Sequence, residues 1–366
     1  MPPVNQPPPD ANLVADTVKT KLPFRVELAR KGNRPVAPTP LAGDASNRRY
    51  FRLELAGGPP HTLVLMQLAS PEAFKQSEEA VSAAASPITE LPFVNILNHL
   101  VKADVAVPAL HYYDQAAGLL YLEDLGDVSL AQACMDAKSP DTPDLYRQAV
   151  DALVQLHLNA TFPADPACLA FGRAFDVPLL MWEFDHFIEY GIEKRAGRML
   201  PDKDRHAIRV ETQKIAELLA DQPRVFTHRD YHSRNLMVQE GRLRILDFQD
   251  ALMGPASYDL ASLLRDSYLS LDEELVEELV IRYLELRAKA GAPLDRMTFM
   301  RLFDMTSLQR NLKATGRFVY ILMEKNNDRY MQYVPRTLAY VKRNFERYRA
   351  LHSLHKALAP HVPELA

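Results

Sequence analysis

Two short runs have a strand-like pattern of apolar and polar positions, Tyr50 to Leu55 ("YFRLEL"), which alternates from Phe51, and Thr62 to Leu68 ("TLVLMQL"), which is nearly continuously apolar. Both patterns predict strands, and the intervening "AGGPP" predicts a hairpin connection. "LPFVNILNHLVKADV" changes to helical spacing through Phe93, Ile96, Leu97 and Leu100, and "SEEAVSAAAS" reads as a short helix or an insertion. "ALHYYD" and "GLLYLEDLG" return to strand composition, so the first third is expected to be a small mixed sheet with one helix. From Ser129 onward the helical period dominates. "LYRQAVDALVQLHL" places Ala149, Leu153, Leu156 and His157 on one stripe. "SLDEELVEELVIRYLELRAKAG" is the clearest helix, with capping-box spacing at Ser270 and Glu273 and Gly291 at the C-terminal stop. "TLAYVKRNFERYRALHSLHKAL" predicts one further helix with a basic, solvated face. Among these helices lies a hairpin, "NLMVQ" and "RLRIL" joined by Glu240-Gly241.

Composition narrows the setting. The chain has 366 residues, 47% of them hydrophobic and 25% charged, with a formal net charge of -4. That length suits about two domains, and the charge gives no basic excess that would favour nucleic acid or an acidic membrane. Cys134 and Cys168 are too few for a disulfide framework, so a reducing, cytoplasmic setting is expected. "MPPVNQPPPD" has neither the charge nor the apolar run of a secretory signal, and no stretch approaches the roughly 20 apolar residues that span a bilayer.

The chemistry concentrates in "VFTHRDYHSRNLMV", Val225 to Val238, where six charged or polar groups sit between apolar flanks. A two-residue turn at Glu240-Gly241 sets Asn235 nearly opposite Leu246, with Asp247 next along. Both polar groups then fall at the open end of one hairpin, within roughly 5–8 Å. Two carboxylates, Asp230 and Asp247, close to an amide invite a hard cation; Mg²⁺ takes one or two carboxylates and completes its shell with phosphate and water. Asn235 and Asp247 fit as metal ligands. Asp230 is left to accept a proton from a substrate hydroxyl, chiefly by orienting it. His228 is expected to pack and hydrogen-bond rather than react. His232 and Arg234 either contact substrate or phosphate or make local salt bridges. Trp182, with Glu183 and Asp185, offers either a platform for a sugar ring or an ordinary half-buried helix position. Arg310 and Lys313, one turn apart, either meet an anionic group or lie on a solvated face. No Gly-Lys-Ser/Thr phosphate loop and no His-Glu-x-x-His is present.

"HRD", an Asn five residues after its Asp, then "LDFQD" after one hairpin resemble the catalytic loop and metal motif of the kinase-like superfamily. Gln249 in the third motif position and "GPASYDLASLLRD" are similar to the aminoglycoside-phosphotransferase branch. "GDASNRRYFRL" and "LQRNLKATGRF" extend the resemblance, from Gly43 to Arg343, to bacterial cell-wall amino-sugar kinases. The resemblance implies an α+β, two-lobed, protein-kinase-like fold. It implies residues 1–40 as an N-terminal extension, partly disordered, 41–125 as a nucleotide-covering lobe with a small mixed β-sheet, and 126–366 as a larger, mainly helical lobe that is catalytic and binds the acceptor. It implies ATP and Mg²⁺ as cofactors and the anomeric hydroxyl of N-acetylmuramate or N-acetylglucosamine as acceptor. Gly43, Ser46 and Arg49 would cradle phosphate, the backbone from Glu123 to Leu125 would meet adenine, and Asp259 would brace the catalytic loop.

The sequence departs from the superfamily where a strand lysine should hold the nucleotide phosphates: "HTLVLMQLA" has Met66 and Gln67 there. Arg49, Arg52 and Lys75 are the available cations. The departure motivates a catalytically weak nucleotide-binding scaffold as an alternative, and an aminoglycoside, choline or homoserine as an alternative acceptor. The remaining expectations are a monomer with a small-molecule alcohol or amino sugar as its partner, and neither nucleic acid nor membrane.

Overall fold

The first helix, α1 (Ala11–Lys21), begins where Asp10 Oδ1 accepts the amide of Asn12 at 2.7 Å, a side-chain N-cap. In the computed structural model, which describes residues 7–41, 48–68, 90–135 and 141–366, α1 belongs to a unit made of Met1–Lys75 and Pro108–Gly126. Its strands are β1 (Glu27–Leu28), β2 (Arg30–Lys31), β3 (Arg34–Pro35), β4 (Thr39–Pro40), β5 (Arg49–Ala56), β6 (Thr62–Gln67), β7 (Leu110–Asp114) and β8 (Leu119–Glu123). The main sheet runs β1-β5-β6-β8-β7, with β4 also on β5, and its pairings are antiparallel. The predicted alternation puts Phe51, Leu53 and Leu55 on the face that packs with Leu63, Leu65, Val14 and Val18 of α1, and Leu22 just past its end. The segment read as an extension thus supplies a helix and four short strands; proline-rich composition hid the apolar i, i+4 pair Val14 and Val18. "SEEAVSAAAS" lies outside the described residues.

The second unit comprises Gln76–Val107 and Asp127–Ala366. It holds α2 (Pro92–Lys102), α3 (Leu130–Ala133), α4 (Thr142–Asn159) and α5 (Val177–His186), the last continuing into a π-helical segment, Phe187–Lys194. There follow α6 (Asp202–Ala220), β9 (Arg224–Thr227), β10 (Leu236–Gln239), β11 (Arg242–Ile245), β12 (Leu252–Pro255), α7 (Ser257–Leu264), α8 (Glu273–Lys289), α9 (Arg296–Lys325), α10 (Val334–Arg347) and α11 (His352–Leu358). The α4 stripe of Ala149, Leu153, Leu156 and His157 is fully buried. Two local expectations are corrected. Helix α8 starts at Glu273 with Asp272 as N-cap, so Ser270 lies outside it. The basic helix is two helices: it breaks at Tyr348, whose hydroxyl donates to Asp304 of α9 at 2.6 Å, and its Arg343 and Arg347 pair with Glu273 and Asp304. Among the described residues no helix is long and apolar enough to cross a membrane.

Candidate active site

The hairpin β10–β11 has the predicted register, Leu236 opposite Ile245 and Gln239 opposite Arg242. Glu240 and Gly241 both have positive φ, 50° and 74°, the combination a two-residue turn of the twisted type requires. One step past the strands, the Leu246 amide donates to the Asn235 carbonyl at 2.9 Å, so Asp247 emerges beside Asn235. Asp247 is left-handed, with φ 62°, a conformation aspartate tolerates better than most residues. Gln249 donates to its Oδ1 at 2.9 Å, leaving Oδ2 as the carboxylate oxygen for a ligand. Asn235 Nδ2 donates to the Asp230 carbonyl at 2.9 Å, which leaves the amide oxygen, Oδ1, for the same purpose. One carboxylate and one amide oxygen match what a phosphate-bound Mg²⁺ asks of a protein. Among the described residues no cluster of three or more His, Cys, Asp or Glu side chains is arranged for a metal.

The loop between β9 and β10 is held by buried acceptors. Asp259 of α7, fully buried, takes the amide of His228 at 2.7 Å and of Arg229 at 2.9 Å, and meets His157 Nε2 at 3.2 Å. The other nitrogen of His157 meets the Tyr283 hydroxyl at 2.7 Å. His228 Nδ1 accepts the Asp230 amide at 3.3 Å, which assigns its proton to Nε2, donating to the Leu246 carbonyl at 2.8 Å. His228 thereby ties the loop to the strand end that presents Asp247. Asp266 receives the Ser233 amide at 3.0 Å and hydroxyl at 2.5 Å. These bonds permit the strained left-handed φ of 80° at Arg229, immediately before Asp230.

Positive charge surrounds Asp230. Burial by itself would raise its pKa, but Lys313, Arg310 and Arg229 outweigh that and hold the carboxyl well below the ordinary aspartate range. Arg310 Nη1 donates to the Arg229 carbonyl at 2.6 Å, and its guanidinium lies 4.6 Å from the Tyr258 ring centroid. Glu183 corrects an expectation. It has no exposed surface, and its oxygens take Gln309 at 2.7 Å, Lys313 at 2.9 Å and Arg229 at 3.2 Å. A carboxylate so enclosed has no open path to a sugar; it anchors the cations around Asp230 instead. Trp182, the preceding residue, is half-exposed and stacked on His186 at 5.6 Å. Asp185 pairs with Arg209.

His232 lies edge-on to Tyr268 at 5.3 Å; burial lowers its pKa, and among the described residues its Nδ1 has no hydrogen-bond partner. Arg234 makes cation–π contacts in place of the salt bridge weighed from sequence. Its guanidinium is 3.7 Å from the Tyr268 centroid and 5.2 Å from that of Tyr333, and it donates to the Tyr333 hydroxyl at 2.7 Å.

Of the residues expected at the nucleotide, Gly43, Ser46 and Lys75 lie outside the described residues. Within the smaller unit, Arg52 is committed to Asp124 through bonds of 2.6 and 3.0 Å. Arg49 sits opposite Gln67 across β5–β6, its guanidinium 5.0 Å from the Phe51 ring. Glu123 Oε2 accepts the Ala109 amide at 3.0 Å, and Leu125 is buried. Sequence reading missed His157, Gln309 and Asp266. His157 sat on an apolar stripe and gave no polar signal, and the partners through which the three act, Asp259, Glu183 and Ser233, come from distant elements.

Residues 38–294 match the family model described as "Phosphotransferase enzyme family". The chain is 32% identical over 320 residues to an N-acetylmuramate/N-acetylglucosamine kinase of Neisseria meningitidis, covering 87% of this chain and 88% of the relative. It is 34% identical over 313 residues to the protein of that name in Pseudomonas putida, covering 83% and 82%. Among solved structures, the ADP-bound aminoglycoside phosphotransferase APH(2'')-Ib superposes with a TM-score of 0.55 at 14% identity, covering 91% of this chain and 97% of that one.

Proposed function

The chain belongs to the phosphotransferase enzyme family, and we propose that it moves the γ-phosphate of ATP to the anomeric hydroxyl of N-acetylmuramate or N-acetylglucosamine. The observation that carries this reading is the match to kinases of those two sugars over 87% and 83% of the chain. The fold agrees: a small antiparallel sheet unit and a mainly helical unit, superposing on an aminoglycoside phosphotransferase.

Asp230 accepts the hydrogen bond of the incoming hydroxyl and points its oxygen lone pair at the phosphorus. Lys313, Arg310 and Arg229 keep Asp230 ionised, which makes it a weak base. A weak base suits a loose phosphoryl-transfer transition state, in which the nucleophile loses its proton late. Asn235 and Asp247 would hold Mg²⁺, which neutralises charge on the phosphate oxygens. His228 and Asp259 keep the loop backbone at the height that lets Asp230 and Asp247 serve the same phosphoryl group. Gly43, Ser46 and Arg49 would contact the phosphates and the backbone from Glu123 to Leu125 the adenine. Arg52 is engaged by Asp124; Arg49 and Lys75 are the other two cations proposed for the role of the missing strand lysine. The proposed division of labour is residues 41–125 over the nucleotide and 126–366 for catalysis and the acceptor, in a cytoplasmic monomer.

The test is ATP turnover by the purified protein against both amino sugars, an aminoglycoside, choline and homoserine, with ³¹P NMR of the product. A sugar 1-phosphate is expected. Transfer to one of the other alcohols alone would reassign the acceptor. ATP binding with no transfer to any of them would favour the scaffold.

A further inference from the structure

Between Leu308 and Ile321, helix α9 is buried except for one stripe: Arg310, Lys313, Ala314, Arg317 and Tyr320 are half-exposed, and every residue between them is buried. The stripe begins at the catalytic loop, where Arg310 bonds the Arg229 carbonyl and Lys313 acts on Asp230. Helix α5 and its π-helical continuation run beside it. Glu183 meets Lys313, a Cβ on Gly316 would come within 2.8 Å of Phe187 Cα, and Tyr190 meets Tyr320 at 5.1 Å. Over this seam stands an aromatic ladder. Trp182 stacks on His186 at 5.6 Å, His186 lies 4.8 Å from Tyr190, and His186 lies 5.6 Å from Tyr320. All four rings are half-exposed.

The cations of the stripe differ in one respect. Lys313 is bound to Glu183, and Arg310 to a carbonyl. Arg317 faces the Tyr320 ring at 4.8 Å and, among the described residues, has no carboxylate partner. The neighbouring acids are engaged or exposed. Glu183 is enclosed, Asp185 pairs with Arg209, Glu324 takes the Tyr190 hydroxyl, and Glu189 is exposed. A row of ring faces ending at an uncompensated guanidinium matches a sugar acid. Apolar sugar faces stack on aromatic rings, and a guanidinium offers a carboxylate two parallel hydrogen bonds.

We infer that the α5–α9 seam is the acceptor subsite, with Trp182 and His186 under the sugar ring and Arg317 binding a carboxylate borne by it. The inference rests on the amino-sugar reading above and deepens it. N-acetylmuramate carries a lactyl carboxylate that N-acetylglucosamine lacks. From Lys313 to Arg317 is one turn, about 6 Å of helical rise, commensurate with the span of a sugar ring from a reacting hydroxyl beside Asp230 to a substituent on its far side. Arg317 is therefore the residue that distinguishes the anionic from the neutral acceptor.

The experiment compares wild type, Arg317→Gln and Arg317→Lys on both sugars, with thermal melting as the folding control and calorimetric titration of N-acetylmuramate as a readout independent of turnover. Arg317→Gln should lower kcat/KM for N-acetylmuramate about tenfold more than for N-acetylglucosamine, mainly through KM, as the loss of a hydrogen bond to a charged group predicts. Arg317→Lys should recover part of that difference. Equal losses on the two sugars, or an unchanged ratio, would overturn the subsite while leaving the kinase reading intact. Wild type that neither binds nor phosphorylates either sugar would overturn both.

Discussion

The fully buried carboxylate of Asp259 receives the main-chain amide of His228 at 2.7 Å, two residues before Asp230. The bond matters because this short polar loop satisfies only some of its amides internally, and Arg229 bends back with positive φ to donate a second, at 2.9 Å, to the same side chain. Asp259→Asn removes one acceptor and the charge. It should destabilise the protein by about 1.5–3 kcal/mol and lower kcat more than it raises KM, read from thermal melts and steady-state kinetics. Unchanged kcat in a folded Asp259→Asn protein would mean that the loop finds its geometry elsewhere.

Asp230→Asn keeps the shape but loses the acceptor for a hydroxyl proton. Transfer should fall by about 10²–10⁴-fold, with nucleotide affinity nearly unchanged by calorimetry. Parallel loss of both would contradict its role as the orienting acid.

Asp247→Asn is the informative metal variant, because asparagine tolerates the left-handed conformation at φ 62°. ATP binding should lose its dependence on Mg²⁺ while the melting curve stays close to wild type. A magnesium titration that still strengthens ATP binding would remove Asp247 from the ligand set.

Lys313 sets a pH limit. The carboxyls of Asp230 and Glu183 are both depressed in the folded state, against burial and largely by Lys313. Such groups stabilise the fold above their unfolded pKa values, and that stability is lost as pH falls through the folded ones. Lys313→Met raises the folded values, so both the acid limb of kcat and the onset of acid unfolding should move to higher pH. At neutral pH the variant should lose on the order of 3 kcal/mol, because Glu183 keeps its charge with one partner fewer. An acid limb identical to wild type would show that Arg229 and Arg310 suffice.

Gly316→Ala tests the helix seam. In an ordinary helix interior the change would gain about 1 kcal/mol. Here the new Cβ would lie 2.8 Å from Phe187 Cα, so a net loss of about 1–3 kcal/mol is expected in denaturant unfolding. A stabilised variant would show that α5 and α9 separate easily.

The legible parts of this protein are the local ones. Strand β5 follows from alternation and β6 from a short apolar run, and the β10–β11 register follows from the Glu240-Gly241 turn. The N-terminal helix was obscured because its apolar positions are sparse and follow a proline-rich stretch. The break at Tyr348 was obscured because the residue that draws its hydroxyl, Asp304, is on another helix. The sequence leaves Glu183 open to a sugar-facing platform with Trp182, since nothing adjacent in it shows that this face of α5 is covered by α9.

The sequence by itself determined the order Asp230, Asn235, Asp247 and their approach at one hairpin end, because a turn of two residues leaves a single register to the strands on either side. Only the tertiary structure decided which charges surround that group. Glu183 and Gln309 meet across 126 residues of chain, and whether a carboxylate is sealed among cations or left open to a ligand depends on how helices pack, a choice that no local spacing encodes.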